Sequence, residues 1–238
     1  YKTIKDCFIS LFELHNETSA CWSHILGMFL FLTLLIYRYN TILYLVEDRF
    51  LFWTYVYYYI GSAVCMMFSF SFHLFCCMNK DVHDQFYQLD LTGILLMIIA
   101  NMLHPMVLTF YCESGIGVTY AILSLICGTI LAIIQNVPFC LQPKFFVYRI
   151  GAIIIYGAAA MLPFFQFQWV GTDYQLETIG HTLNITFAIY GLGLFFWIFK
   201  FPECFFVNIF DLGLYSHAIW HCCIIIGSLW TEQGFIHV

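Results

Sequence analysis

Long apolar stretches separated by short polar ones set the pattern of this chain. A membrane-spanning helix needs roughly 20 largely apolar residues. Seven runs are long enough, approximately 20–38, 51–77, 89–111, 116–136, 145–168, 179–199 and 214–232. Turns belong at the breaks. Asn40 to Arg49 and Asn79 to Gln85 are polar, Glu113-Ser114-Gly115 is a tight connection, and Asn136 to Lys144 holds two prolines. Gly171 to Glu177 and Lys200 to Asp211 are polar or turn-rich. The pattern predicts an all-α membrane protein, one domain over 1–238 with seven transmembrane helices and no internal repeat.

Composition supports the membrane reading. The chain is 62% hydrophobic and only 9% charged, with a mean hydropathy of +0.86. Soluble domains carry about 25% charged residues, so there is too little charge here to clothe a water-facing surface. No Lys/Arg cluster exists to bind nucleic acid. The eleven cysteines, an odd number without C-x-x-C spacing, read as small buried hydrophobes rather than a disulfide framework.

Lys and Arg placement predicts an orientation, because positive loops stay cytoplasmic. With seven crossings, Lys2, Lys5, Lys80, Lys144, Arg149 and Lys200 share one side and only Arg38 and Arg49 the other. That puts the N-terminus in the cytoplasm and the C-terminus on the extracellular or lumenal side. The chain lacks an Asp/Glu-Arg-Tyr after its third run and an Asn-Pro-x-x-Tyr in its seventh, which argues against a rhodopsin-like receptor.

The polar residues that interrupt these runs carry the chemistry. His217 and His221 are four apart, so on a helix both rings lie on one face about a turn apart, a spacing that lets two imidazoles share one metal ion. In the predicted orientation His73, Asp90, His217 and His221 all fall in one layer near the cytoplasmic face. Ionisable groups inside a bilayer are expensive, about 2.5–3.5 kcal/mol for Asp on insertion scales, so they are paired or functional. Three imidazoles leave the fourth tetrahedral position of Zn²⁺ open, which is the catalytic pattern. Asp90 then suits proton transfer from a bound water, and Ser69, a turn before His73, suits an oxyanion hydrogen bond. Bis-histidine haem ligation is the rival metal reading. His24 is expected to be a structural hydrogen-bonder, and His104, about 21 Å along the helix from Asp90, a packing or pore-edge residue, as is His181.

These residues together resemble the progestin and adipoQ receptor family, relatives of the haemolysin-III-like proteins. The resemblance rests on Asn16-Glu17-Thr18…Trp22-Ser23-His24, Ser69-x-x-x-His73, Asp90-Leu91-Thr92-Gly93, Phe201-Pro202-Glu203 and Ser216-His217-x-x-x-His221. It implies zinc held by His73, His217 and His221, with Asp90 and Ser69 around the metal-bound water. His73-Leu74-Phe75, Phe110-Tyr111-Cys112 and Ile219-Trp220-His221 look nearest the Golgi-resident, Raf-kinase-trapping member. Ala218 stands where the family usually has glutamine, and the Pro-Gly that often follows Pro-Glu is absent.

The resulting expectation is a receptor in the plasma or Golgi membrane that hydrolyses ceramide-like lipid amides in signalling. Its partners would be membrane lipids, a lipid, steroid or adipokine-like ligand, and a cytoplasmic kinase or adaptor. A second reading is a non-enzymatic Golgi scaffold tethering a Raf-type kinase, with structural zinc. A third is an ion or proton pathway through the same polar cluster.

Overall fold

The computed structural model describes residues 3–206, 209–210, 212–213 and 215–236, and its apolar runs are helices. In chain order these are α1 (Ile4–Ser10), α2 (Thr18–Thr41), α3 (Arg49–Phe75), α4 (Lys80–Thr109) and α5 (Ser114–Gln135). Then come α6 (Phe146–Ala160), α7 (Leu162–Val170), the short α8 (Asp173–Gln175), α9 (His181–Phe199) and α10 (Ser216–Ile236). A π-helical stretch, Leu176–Gly180, joins α8 to α9.

Local chemistry explains where the boundaries depart from the apolar runs. Helix α4 starts well before its run because Asn79 caps it: the Asn79 Oδ1 accepts from the Val82 N–H at 3.0 Å, satisfying an otherwise orphaned donor. The run over 145–168 divides at Met161, and Pro163 occupies the first turn of α7, where its missing N–H costs nothing. Lys200 closes α9 in the left-handed conformation, with φ 49°. The predicted connection ending at Asp211 and the predicted start of the last run at Leu214 lie outside the described residues.

The seven-span expectation needs correction. Among the described residues, six helical stretches are long and apolar enough to cross a membrane: Thr18–Thr41, Arg49–Phe75, Lys80–Thr109, Gly115–Gln135, Pro143–Val170 and Asp173–Phe199. The seventh run does fold as a helix, α10, but His217, His221, Thr231, Glu232 and Gln233 interrupt its apolar stretch. The orientation falls with the count. Loops change sides at every crossing, so a Lys/Arg tally that assumes seven crossings assigns no side to either terminus.

Outward surfaces fit hydrocarbon. Ile122, Leu123, Ile126, Ile130 and Ile133 of α5 and Val147 and Ile155 of α6 are all exposed. An apolar surface this continuous is a liability in water, whereas helices that satisfy their own backbone groups are the form that lipid accepts.

The chain forms two compact units. One draws on the chain up to Met28, on Met66–Tyr87 and on the stretch from Glu177 onward; the other comprises Phe29–Cys65 and Gln88–Leu176. In the second unit, polar side chains pair across helices. Arg149 Nε donates to Gln135 Oε1 at 2.8 Å, and Gln135 Nε2 donates back to the Arg149 carbonyl at 2.9 Å. His104 meets Thr54 Oγ1 at 3.3 Å and packs against Tyr55, a packing role.

The first unit is built on the α9–α10 pair. Tyr190 meets Ser228 at 2.9 Å and Thr186 meets Thr231 at 2.8 Å, hydroxyl to hydroxyl, the kind of interhelical bond that small, polar helix faces favour. Gly193 lets the backbones approach: a Cβ there would lie 2.6 Å from Cys223 Cβ and 3.0 Å from Trp220 Cε3. In the same unit, Cys7 and Leu11 pack on Cys21 and Leu74, which fastens α1 to α2 and α3. We predict that Gly193→Leu lowers the thermal midpoint of the detergent-solubilised protein by an overpacking cost of about 1–3 kcal/mol. Gly191→Ala, where a Cβ meets nothing within 4 Å, serves as the comparison. Equal midpoints for the two variants would show that Gly193 does not set the helix spacing.

Candidate metal centre

Four imidazoles gather in the first unit. His24 comes from the second turn of α2, His73 from the last turn of α3, and His217 and His221 from the first two turns of α10. His24, His73 and His221 are 3%, 5% and 6% exposed; His217 is half-buried. Ring centroids stand 5.4 Å apart for His73–His217, 5.3 Å for His73–His221 and 4.3 Å for His217–His221. His24 stacks on His221 at 4.0 Å and lies 5.5 Å from His73.

The nitrogens are what mark the cluster. His73 Nε2, His221 Nδ1 and both ring nitrogens of His24 are buried without a hydrogen-bond partner. An unsatisfied buried polar atom costs about 1–3 kcal/mol. One ligand atom each from His24, His73 and His221 lies within 4.8 Å of the other two. Zn–N bonds of about 2.0–2.1 Å in a tetrahedron require nitrogens about 3.3 Å apart, so these three rings fit a metal ion after closing inward by about an ångström. Imidazole donors suit zinc, copper, iron or nickel.

Hydrogen bonds fix how two of the rings present themselves. His73 Nδ1–H donates to Glu17 Oε2 at 2.8 Å, which leaves the lone pair on the buried, unpartnered Nε2. Trp197 Nε1–H donates to His217 Nδ1 at 2.9 Å, so in this arrangement the His217 proton sits on Nε2. To ligate through Nε2, His217 must turn its ring or give up the tryptophan bond.

Two carboxylates outside the long helices hold this geometry. Glu17 is seated by its own segment. Trp22 Nε1 donates to the Leu11 carbonyl at 2.9 Å, Thr18 Oγ1 to the Glu13 carbonyl at 2.8 Å, and the Glu17 N–H to His15 Nδ1 at 3.1 Å. Burial pushes the Glu17 carboxyl up, but the His73 hydrogen bond and the neighbouring His73, His217 and His15 rings hold it below the usual carboxylate range. Glu203 sits at the start of α10, where its Oε2 accepts the Ser216 N–H at 2.8 Å and its Oε1 accepts the Ser216 hydroxyl. A carboxylate at a helix N-terminus satisfies an orphaned donor and complements the dipole. Glu203 thereby fixes the turn that carries His217 and His221.

The rings of His73, His217 and His221 lie with their centroids 4.3–5.4 Å apart, whereas the ligand atoms that gather within 4.8 Å come from His24, His73 and His221. Ser69 is 5% exposed, one turn before His73 in α3 of the same unit. Asp90 is 8% exposed and lies in α4, in the second unit. His24 is not a structural hydrogen-bonder: both of its nitrogens lack partners and its ring stacks on His221. Sequence reasoning gave no function of their own to Glu17, Trp197 or Glu203. The signal available for Glu17 was the Asn16-Glu17-Thr18 motif that carries the family resemblance; its contact with His73 joins residues 56 positions apart.

Fold and site together define a helical membrane protein with a buried histidine cluster able to hold a metal ion. The chain belongs to the haemolysin-III-related family, whose model matches residues 12–231. It is similar to the adiponectin receptor protein of Drosophila melanogaster, 25% identical over 238 residues that cover 98% of this chain and 52% of that protein. It is also similar to heptahelical transmembrane protein 3 of Arabidopsis thaliana, 25% identical over 95% of this chain and 77% of that one. A third relative is the mouse progestin and adipoQ receptor family member 3, 28% identical over 98% of this chain and 76% of that one. The chain spans about half the length of the Drosophila relative.

Glu203 generates a pH prediction. Burial pushes its carboxyl up, but the hydrogen bonds from Ser216 and the Lys200 charge leave it below the usual range. A depressed folded pKa stabilises fully above the unfolded value of about 4.3, and the contribution is lost as pH falls through the folded value. Glu203→Gln should therefore lower the thermal midpoint at neutral pH, with the gap to wild type closing in acid. A gap that stays constant across that window would remove the carboxylate's charge from the account.

Proposed function

We propose that this chain is a membrane receptor of the progestin and adipoQ type that binds zinc through His73, His217 and His221 and hydrolyses a ceramide-like lipid amide in signalling. The observation that carries this reading is the cluster of buried imidazoles with unpartnered ring nitrogens. The choice of His217 as third ligand rests on the family resemblance: in this structure its Nδ1 accepts from Trp197, and the ligand atoms that lie within 4.8 Å of one another come from His24, His73 and His221.

Zinc held there would supply a Lewis acid for an amide carbonyl and an acidified water at neutral pH. Ser69 would donate a hydrogen bond to the carbonyl oxygen as charge develops on it, an interaction worth about 10²–10³ in rate for a well-placed donor. The role of Asp90 as proton acceptor comes from the family resemblance alone. An amide-linked lipid is a fitting substrate because it reaches helices that face hydrocarbon without first crossing water.

Substitution separates these roles. His73→Ala, His217→Ala and His221→Ala should each empty the site of zinc and lower the thermal midpoint, since a ligand at ~100 Kd stabilises by about 2.7 kcal/mol. His24→Ala should keep its zinc. Ser69→Ala should keep zinc while slowing fatty-acid release from ceramides by purified protein, and Asp90→Asn should slow it likewise. Wild-type protein prepared without chelator that carries no stoichiometric metal sinks the reading. Zinc-loaded protein that releases no fatty acid sinks the hydrolase and leaves a structural metal.

A further inference from the structure

We propose that Glu17 is a positioning residue for the metal centre, selecting the His73 tautomer that offers Nε2 to the ion. The inference deepens the reading of the histidine cluster as a metal site and rests on it. A neutral imidazole has one N–H and one lone pair, and in the absence of a partner the two tautomers compete. The 2.8 Å contact between His73 Nδ1 and Glu17 Oε2 settles that competition, because a carboxylate only accepts. The proton stays on Nδ1, and the lone pair is left on Nε2, a buried atom with no hydrogen-bond partner on a ring that supplies one of the three gathered ligand atoms.

The carboxylate adds two further effects. Its charge polarises the ring and makes Nε2 a better donor, as carboxylates behind metal-bound histidines do. It also offsets a divalent charge that three neutral imidazoles leave uncompensated in a buried place. The Glu17 side chain is itself only 29% exposed, so its field is less screened than that of a surface carboxylate.

Geometry argues against Glu17 being only a structural tether. Its local hydrogen bonds run through its backbone N–H to His15 and through Oε1, which accepts from Asn16 Nδ2 at 2.9 Å. Oε2 is left for His73, a residue 56 positions away on another helix. The segment that seats Glu17, from α1 to Trp22, thereby becomes part of the metal centre.

The test uses the full chain in detergent, stripped of metal and titrated with Zn²⁺ against a competing chelator, with the thermal midpoint of the metal-free form measured in parallel. Glu17→Gln keeps the size and an acceptor oxygen but removes the charge; Glu17→Ala removes both. We expect zinc affinity to fall 10- to 100-fold for Glu17→Ala and by a smaller factor for Glu17→Gln, whose metal-free midpoint should stay near wild type. A purely structural role predicts the opposite split, a lower metal-free midpoint with unchanged zinc affinity, and that result overturns the proposal. If Glu17→Ala does not fold, Glu17→Gln decides: wild-type zinc affinity there also overturns it. Wild-type protein with no zinc affinity would sink the metal reading itself, a separate outcome from one in which only the Glu17 variants behave as wild type.

Discussion

Burial of imidazole nitrogens without hydrogen-bond partners is the constraint on which the first unit depends. Four such atoms lie on His24, His73 and His221, at about 1–3 kcal/mol each. Their sum rivals the whole net stability of a domain, about 5–15 kcal/mol. A cation is a partner that accepts several lone pairs at once, and in the proposed ligand set it takes those of His73 and His221 while the two His24 nitrogens stay without a partner. The surrounding interactions are consistent with holding these rings in place. The α9–α10 hydroxyl pairs fix the helix carrying two of them, Glu203 fixes its first turn, and Glu17 fixes the third ring from outside.

Much of the helical framework was legible because length and apolarity are local properties. The runs over 20–38, 51–77 and 116–136 became α2, α3 and α5 with ends moved by only a few residues. The failures have physical causes. The last run was counted by length, whereas His217, His221, Glu232 and Gln233 lower its apolarity, and the orientation argument inherited that error. Helix α4 reaches back to Lys80 because the Asn79 side chain caps it, and a cap outweighs the polarity of the turn that follows. Helix α1 is short and held by its own capping box at Thr3 and Asp6, a signal weaker than any apolar run.

The site was legible to the extent that helical periodicity carries it. His217 and His221 announce themselves by their spacing, and Ser69 and His73 likewise share a face. The contacts that orient these rings join distant stretches of sequence. Glu17 reaches His73 and Trp197 reaches His217 only because the helices pack together, and no periodicity reports that. His24 misled for a different reason. A lone polar residue in an apolar helix is most simply read as hydrogen-bonded, and only its packed surroundings show that it has no such partner.

The two carboxylates that hold the site sit in connecting segments rather than in the long helices, and electrostatics explains the choice. Glu17 immediately precedes α2 and Glu203 meets the first residue of α10, so each charge lies near a helix N-terminus, where the dipole favours an anion. Placed mid-helix and facing hydrocarbon, either would bear the cost of an intramembrane charge. At the ends of the apolar runs both remain partly solvated while still reaching a buried group. The long helices carry the imidazoles themselves, whereas the short segments around residues 11–24 and 200–217 supply the two carboxylates that bond to His73 and to the first residue of α10. In this chain the helices supply the ligand atoms and the connections supply the charges that orient them.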